Sequence, residues 1–271
     1  MTRDAMDSSS LYQPGMPPAG GGTPLAPEPA YPAPWGYLGT IGWALAALIA
    51  GAIVSAAGGL WWFGFDGLTK MLKSSSDQYN GAFISLTQII SAPVQIGVLA
   101  MATRLKHWPV GPYIGFVVPR RQEVIRAVIL LAAILFVLES ATSLLGHDVV
   151  SEFQKEAYRT SKATGWLPEL LLAIVVLAPI VEEITFRGFF YRGFVRKPGL
   201  EPVAIVVISL AWTMLHIQYD WQDLLQIFII GIALGWVRWS SGSTLLTMFL
   251  HALLNLWAMI ETVVRMEWMP R

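Results

Sequence analysis

Three short patterns in this 271-residue chain assemble the residue types that hydrolysis requires. Glu182, Glu183 and Arg187 fall in one run, Trp212 precedes His216 by four positions, and His251 precedes Asn255 by four. On a helix, residues four apart share a face, so Glu183 and Arg187 can pair directly, with the carboxylate on the favourable amino-terminal side. Glu182 is turned by about 100° and stays outside that contact, which makes it the freer carboxylate. Trp212, one turn before His216, can wall one side of a cavity, and His251 with Asn255 forms a pair of hydrogen-bond donors on one face. A carboxylate and an imidazole that share a water can take its proton. A histidine and an asparagine in a site closed to bulk water can stabilise a tetrahedral oxyanion.

Each feature also has a plainer reading. Glu183 and Arg187 can be a structural ion pair, Glu182 a protonated core carboxyl, and the histidines and asparagine hydrogen-bonding glue between helices. Three separate segments that each bring polar groups into apolar surroundings are harder to explain as glue. No serine lies in a Gly-x-Ser-x-Gly setting, so a serine nucleophile has no particular support. The chain has no cysteine, which excludes disulfides, a thiol nucleophile and thiolate zinc sites.

The elements that carry these residues belong to a membrane. Charged residues make up 13% of the chain and hydrophobic residues 55%, against about 25% charged in ordinary globular proteins. Long apolar runs predict an all-α, polytopic transmembrane bundle of about seven spans. They run at Leu38–Phe63, Ala82–Thr103, Ala127–Leu145, Leu170 to about Tyr191, Pro202 to about Ile217, Leu224–Val237 and Trp239–Ile260. The fourth holds Glu182, Glu183 and Arg187, the fifth His216, the last His251 and Asn255. Gly231 and Gly235 in the short sixth run have the spacing that lets helices approach closely. An ionisable residue at the centre of a span costs roughly 2.5 to 3.5 kcal/mol on insertion scales, so such residues read first as functional. Glu139, near the end of its span, reads as interfacial; His107 and His147 read as solvated loop residues.

Residues 1–36 carry eight prolines and a Gly20–Gly22 triplet, which predicts a disordered tail. It lacks the pattern of a cleaved signal peptide. Residues 37–265 form the transmembrane bundle, with the chemistry confined to 168–260. An amino terminus in the cytoplasm places the basic stretches Arg104–Arg126 and Arg187–Lys197 inside, as the positive-inside rule favours. With 18 basic and 18 acidic residues, nucleic acid is not an expected partner.

In this order and spacing, the three patterns resemble the CAAX protease and bacteriocin-processing (Abi) family of polytopic membrane proteins. Ala178-Pro179-Ile-Val-Glu182-Glu183-Ile-Thr-Phe186-Arg187-Gly188 matches its EExxxR motif, Trp212-Thr-Met-Leu-His216 its FxxxH motif, and His251-Ala-Leu-Leu-Asn255 its HxxxN motif. Trp212 departs from the usual phenylalanine. The resemblance implies an intramembrane endopeptidase of the glutamate type, in a bacterial cytoplasmic (inner) membrane, cutting a membrane-associated protein or peptide. It further implies that Glu182 and His216 activate water, His251 and Asn255 hold the oxyanion, and Glu183, Arg187 and Trp212 support the site. No cofactor is expected. Zinc is the nearest rival, since two histidines and a glutamate can supply three ligands, although no HExxH occurs. A non-catalytic scaffold or immunity protein could use the same cavity for binding, and proton-coupled transport could use the same buried Glu and His.

Overall fold

The computed structural model describes residues 31–73 and 79–269, and every regular element among them is a helix. These are α1 (Tyr37–Lys73), α2 (Gly81–Leu105), the short α3 (Val110–Ile114), α4 (Arg121–Leu144) and α5 (Glu152–Thr164). There follow α6 (167–194), α7 (Glu201–Thr213), α8 (Trp221–Ser241) and α9 (Thr244–Glu267). Five of them, α1, α2, α4, α8 and α9, are long and apolar enough to cross a membrane. The rod α6 is helical throughout but alternates α stretches with two π-helical ones, Leu172–Leu177 and Ile184–Phe190. At about 1.5 Å per residue it too exceeds a hydrocarbon core. The apolar α7 has only 13 residues. The protein is an integral membrane helical bundle: Leu38, Ile53, Phe136 and other large apolar side chains point outward, as lipid-facing residues must.

Several boundaries differ from the sequence reading. Of the tail predicted over 1–36, residues 1–30 lie outside the described residues, whereas the end of it is packed. Tyr31 stacks on Trp108, whose indole donates to the Pro32 carbonyl at 2.8 Å. The sixth span is a full 21-residue helix, because the chain turns at Gly242 (φ 67) and Trp239 belongs to α8 rather than to the last span. Polar residues at its start, Gln222, Asp223 and Gln226, had masked it. Helix α7 stops at Thr213, so His216 lies in the turn beyond rather than inside a span.

Where the sequence reading had only a connection, α5 forms. Ser151 and Gln154 make a reciprocal amino-terminal cap and Gly165 (φ 77) ends the helix. Ala157 and Tyr158 are buried, while Glu156 and Arg159 pair on the outer side. Its other contacts tie it to the end of α9. Lys162 and Tyr158 both donate to Glu267, and Lys155 meets Arg265 at the Asp148 carboxylate.

Two further packing features fix the frame. Gly231 and Gly235 let α8 lie directly on α7: a Cβ at Gly235 would sit 2.7 Å from Ile205 Cγ2, and one at Gly231 3.2 Å from the Trp212 ring. The loop around α3 is fastened by side chains from two helices, α6 and α9. Arg192 donates to the Pro112 and Tyr113 carbonyls, and Thr244 and Ser243 donate to those of Ile114 and Val117 at 2.5 Å each. These contacts anchor the start of α9, the helix that carries His251 and Asn255.

Candidate active site

Four segments converge on one point inside the bundle. Glu182 comes from the middle of α6, Trp212 from the last turn of α7, His216 from the following turn, and His251 with Asn255 from α9. The sequence-predicted residues are therefore brought together, and they fall into two linked sets.

The buried set is built around Glu183. Its carboxylate is wholly buried and accepts from the Arg187 guanidinium at 2.9 Å and from His251 Nδ1 at 2.9 Å. Arg187 also donates to the Gly231 carbonyl at 3.2 Å and lies over the Trp212 ring, 4.5 Å from its centroid. The pairing expected from the four-residue spacing is present, and it does more than neutralise two charges. By accepting from Nδ1, Glu183 fixes the plane of the His251 ring and directs Nε2 away from itself.

The cavity-facing set is built around Glu182. Its Oε2 accepts from the Trp212 indole N–H at 2.5 Å and lies 3.9 Å from His216 Nε2. His216 Nδ1 bonds the Trp212 carbonyl at 2.9 Å. A carbonyl can only accept, so Nδ1 carries a proton, and Nε2 is the ring nitrogen turned toward Glu182. The 3.9 Å separation is too long for a direct hydrogen bond and is one that a shared water can bridge. The departure from phenylalanine at Trp212 thus supplies a donor to Glu182 that a phenyl ring lacks. The indole also packs edge-on against both His216 (4.9 Å) and His251 (5.4 Å).

Asn255 Nδ2 donates to the backbone carbonyl of Ile174 on α6 at 2.8 Å. This contact uses one of its two amide hydrogens.

These residues lie between two cavities of about 180 Å³ each. One extends toward α2 and α5, past Ile84, Ala157, Ala173 and Met259; Glu182 lines it. The other extends toward α4 and α8, past Leu135, Glu139 and Gln226; Trp212 lines it. His216, His251 and Asn255 line both. Two residues that sequence reasoning passed over take part. Glu139, read as interfacial, accepts from the Trp257 indole at 2.8 Å and borders the second cavity. Tyr219 lines both cavities and a third, polar one of about 270 Å³ beneath α5. Its ring leans on His216 (6.2 Å) and meets Phe153 edge-on (5.3 Å). Burial, helped by the charges of Asp223 and Glu182, pushes its hydroxyl above the ordinary tyrosine range, so it stays a donor. Only its place three residues after His216 in a turn could have flagged it. His147 is outside the site and bonds Gln222 at 2.6 Å on the exposed side.

A resident zinc would need three ligands at one point. Among the described residues no three His, Asp or Glu side chains are grouped so that they could hold a metal ion.

No curated protein and no solved structure matches the chain. Residues 164–257 do match a family model, and all three motifs lie within that stretch. The model is that of the Rce1-like family, described as type II CAAX prenyl endopeptidase, and it is the CAAX-protease family that the three motifs resemble.

Proposed function

We propose that this protein is an intramembrane endopeptidase that hydrolyses a peptide bond in a membrane-associated protein or peptide, using Glu182 and His216 to activate water. The observation that carries the reading is the 3.9 Å gap between Glu182 Oε2 and His216 Nε2 in a cavity that His251 and Asn255 also line. A water in that gap donates one hydrogen to the carboxylate and the other to Nε2. As its oxygen bonds to the scissile carbonyl carbon, the proton passes to Glu182. The carbonyl oxygen becomes an oxyanion, received by the free amide hydrogen of Asn255 and by His251 Nε2. Because Glu183 already accepts from Nδ1, donation from His251 Nε2 as well requires a proton on both ring nitrogens, and Glu183 would then face that ring and the Arg187 guanidinium together. Collapse breaks the C–N bond, and the leaving amine takes the proton held at Glu182. In this reading Glu183, Arg187 and Trp212 position the other four residues.

No metal enters this scheme. The donor set is complete for acid–base chemistry without a Lewis acid. Activity is expected to survive dialysis against a strong chelator; stoichiometric zinc whose removal abolishes turnover would overturn this. We place the protein in the cytoplasmic membrane of a bacterium with its amino terminus inside. The grouping of Arg104, Lys106, Arg120, Arg121, Arg196 and Lys197 at the end of the bundle where α1 begins supports that orientation.

The deciding experiment compares the termini of membrane proteins in cells that carry the wild type or Glu182→Gln. The substitution keeps the shape of the side chain and removes the base. New or lost termini are expected in the wild type alone. Identical termini would sink the protease reading and leave a scaffold that only binds in the cavity.

A further inference from the structure

The helix α6 is π-helical from Leu172 to Leu177, and this stretch ends where a proline prevents its continuation. In π geometry each carbonyl accepts from the N–H five residues on. Ala178 N–H donates to Ala173 O in that pattern. The next carbonyl, Ile174 O, would take its bond from residue 179, but Pro179 has no N–H. Its α-helical alternative, the N–H of Ala178, is already engaged with Ala173. A carbonyl left without a partner inside a membrane bundle is strongly unfavourable, because no water or lipid group replaces the bond. The group that fills the vacancy is Asn255, whose amide donates to Ile174 O at 2.8 Å from α9.

We propose that Pro179 is a positioning residue for Asn255: by orphaning the Ile174 carbonyl it creates the acceptor that fixes the Asn255 amide at the wall of the site. The bond also settles which way the amide is turned, since only its nitrogen can face a carbonyl. One amide hydrogen is held by Ile174, and the other stays available to the cavity that Asn255 lines. Proline three residues before Glu182 therefore has a job distinct from bending the helix. It couples α6, which carries the carboxylates, to α9, which carries the donors. The kinetic part of this inference rests on the protease reading above; the pairing itself does not.

The test is a double-mutant cycle on the full-length protein in lipid nanodiscs, reading thermal unfolding, with Pro179→Ala, Asn255→Ala and the two combined. Alanine at 179 restores an N–H and improves helix propensity, so the fold is not endangered. With Pro179 present, Asn255→Ala leaves Ile174 O orphaned and is expected to lower the melting temperature by about 5 °C. In the Pro179→Ala background the backbone satisfies that carbonyl, and the same substitution is expected to cost little. Equal losses in both backgrounds would overturn the proposal. The second arm follows cleavage of a farnesylated, quenched-fluorescent peptide with a CAAX carboxyl terminus. Here Pro179→Ala is expected to lower kcat about tenfold with little change in KM, as for an interaction made in the transition state. An unchanged kcat in an active enzyme would overturn the positioning role. Coupling without cleavage by the wild type supports the pairing and counts against the protease reading instead.

Discussion

At the scale of single residues, the neighbouring glutamates have opposite environments one helical step apart. Glu182 faces a cavity and meets an indole N–H and, across 3.9 Å, an imidazole. Glu183 is wholly buried between a guanidinium and an imidazole. Their substitutions should therefore fail in different ways. Glu182→Gln is expected to remove activity and leave unfolding unchanged. Glu183→Gln leaves Arg187 as an uncompensated buried charge and is expected to cost about 3 to 5 kcal/mol of stability, measured by denaturant titration in mixed micelles. An equally stable Glu183→Gln protein would contradict the buried-pair account. Much of this contrast was legible in the sequence, because the four-residue spacing to Arg187 selects Glu183 and not Glu182. The second partner of Glu183, His251, was not, since 68 residues separate them.

At the scale of elements, the site depends on how closely α8 approaches α7. Gly231 lies against Ser209 and the Trp212 ring, and its carbonyl accepts from Arg187. Gly235 lies against Ile205, one turn farther from the site. A Cβ at Gly231 would stand 3.0 Å from Ser209 Cβ and 3.2 Å from the indole, so the indole must shift, and with it the donor to Glu182. Gly231→Ala is accordingly expected to reduce turnover more than stability. Gly235→Leu should instead separate the two helices and lower stability by about 1 to 3 kcal/mol through overpacking. Parallel assays of turnover and unfolding on the two variants check the contrast; a Gly231→Ala enzyme with full activity would refute it. The small-xxx-small spacing was visible in the sequence. That the first glycine backs Trp212 was not, because the register between α7 and α8 is a tertiary fact. Helix α5 was missed for another reason: its charged outer face suppresses the hydropathy by which spans are found, although Ser151, Gln154 and Gly165 are ordinary capping signals.

At the scale of the whole molecule, the proposed hydrolysis requires water and a peptide to reach the interior of an apolar bundle. Tyr219 stands between the polar cavity under α5 and the two cavities at the site. Since the chain has no cysteine, Ala178→Cys would carry the sole thiol, placed in the cavity beside Glu182. Its labelling by a charged thiol reagent is expected to accelerate severalfold when Tyr219→Ala is added and to stay slow with Tyr219→Phe. Fast labelling with Tyr219 intact would show another aqueous route. Helix α5 is tied to α9 by Asp148, which draws Lys155 of α5 and Arg265 of α9 together at 3.0 and 3.1 Å, while Lys155 also pairs with Glu152. Burial raises the Asp148 carboxyl, but the bonds from Lys155 and Arg265 outweigh it and hold it below the ordinary range. A depressed folded-state pKa contributes stability at neutral pH, and that contribution is lost as pH falls below the ordinary aspartate value through the lowered one. Hydrogen exchange in α5 is therefore expected to accelerate on acidification through that window, and Asp148→Asn to show the faster exchange already at pH 7.

Composition and apolar run length determined the membrane bundle, because lipid leaves a chain few ways to satisfy its backbone. Residue type and local spacing determined which side chains could do chemistry and that Glu183, rather than Glu182, would pair with Arg187. Only the tertiary structure decided that Glu182 faces His216, that Glu183 orients His251, and that Asn255 bonds the carbonyl orphaned by Pro179. Each of those contacts joins segments distant in sequence, and their register is set by packing at glycines and caps rather than by any periodicity along one helix.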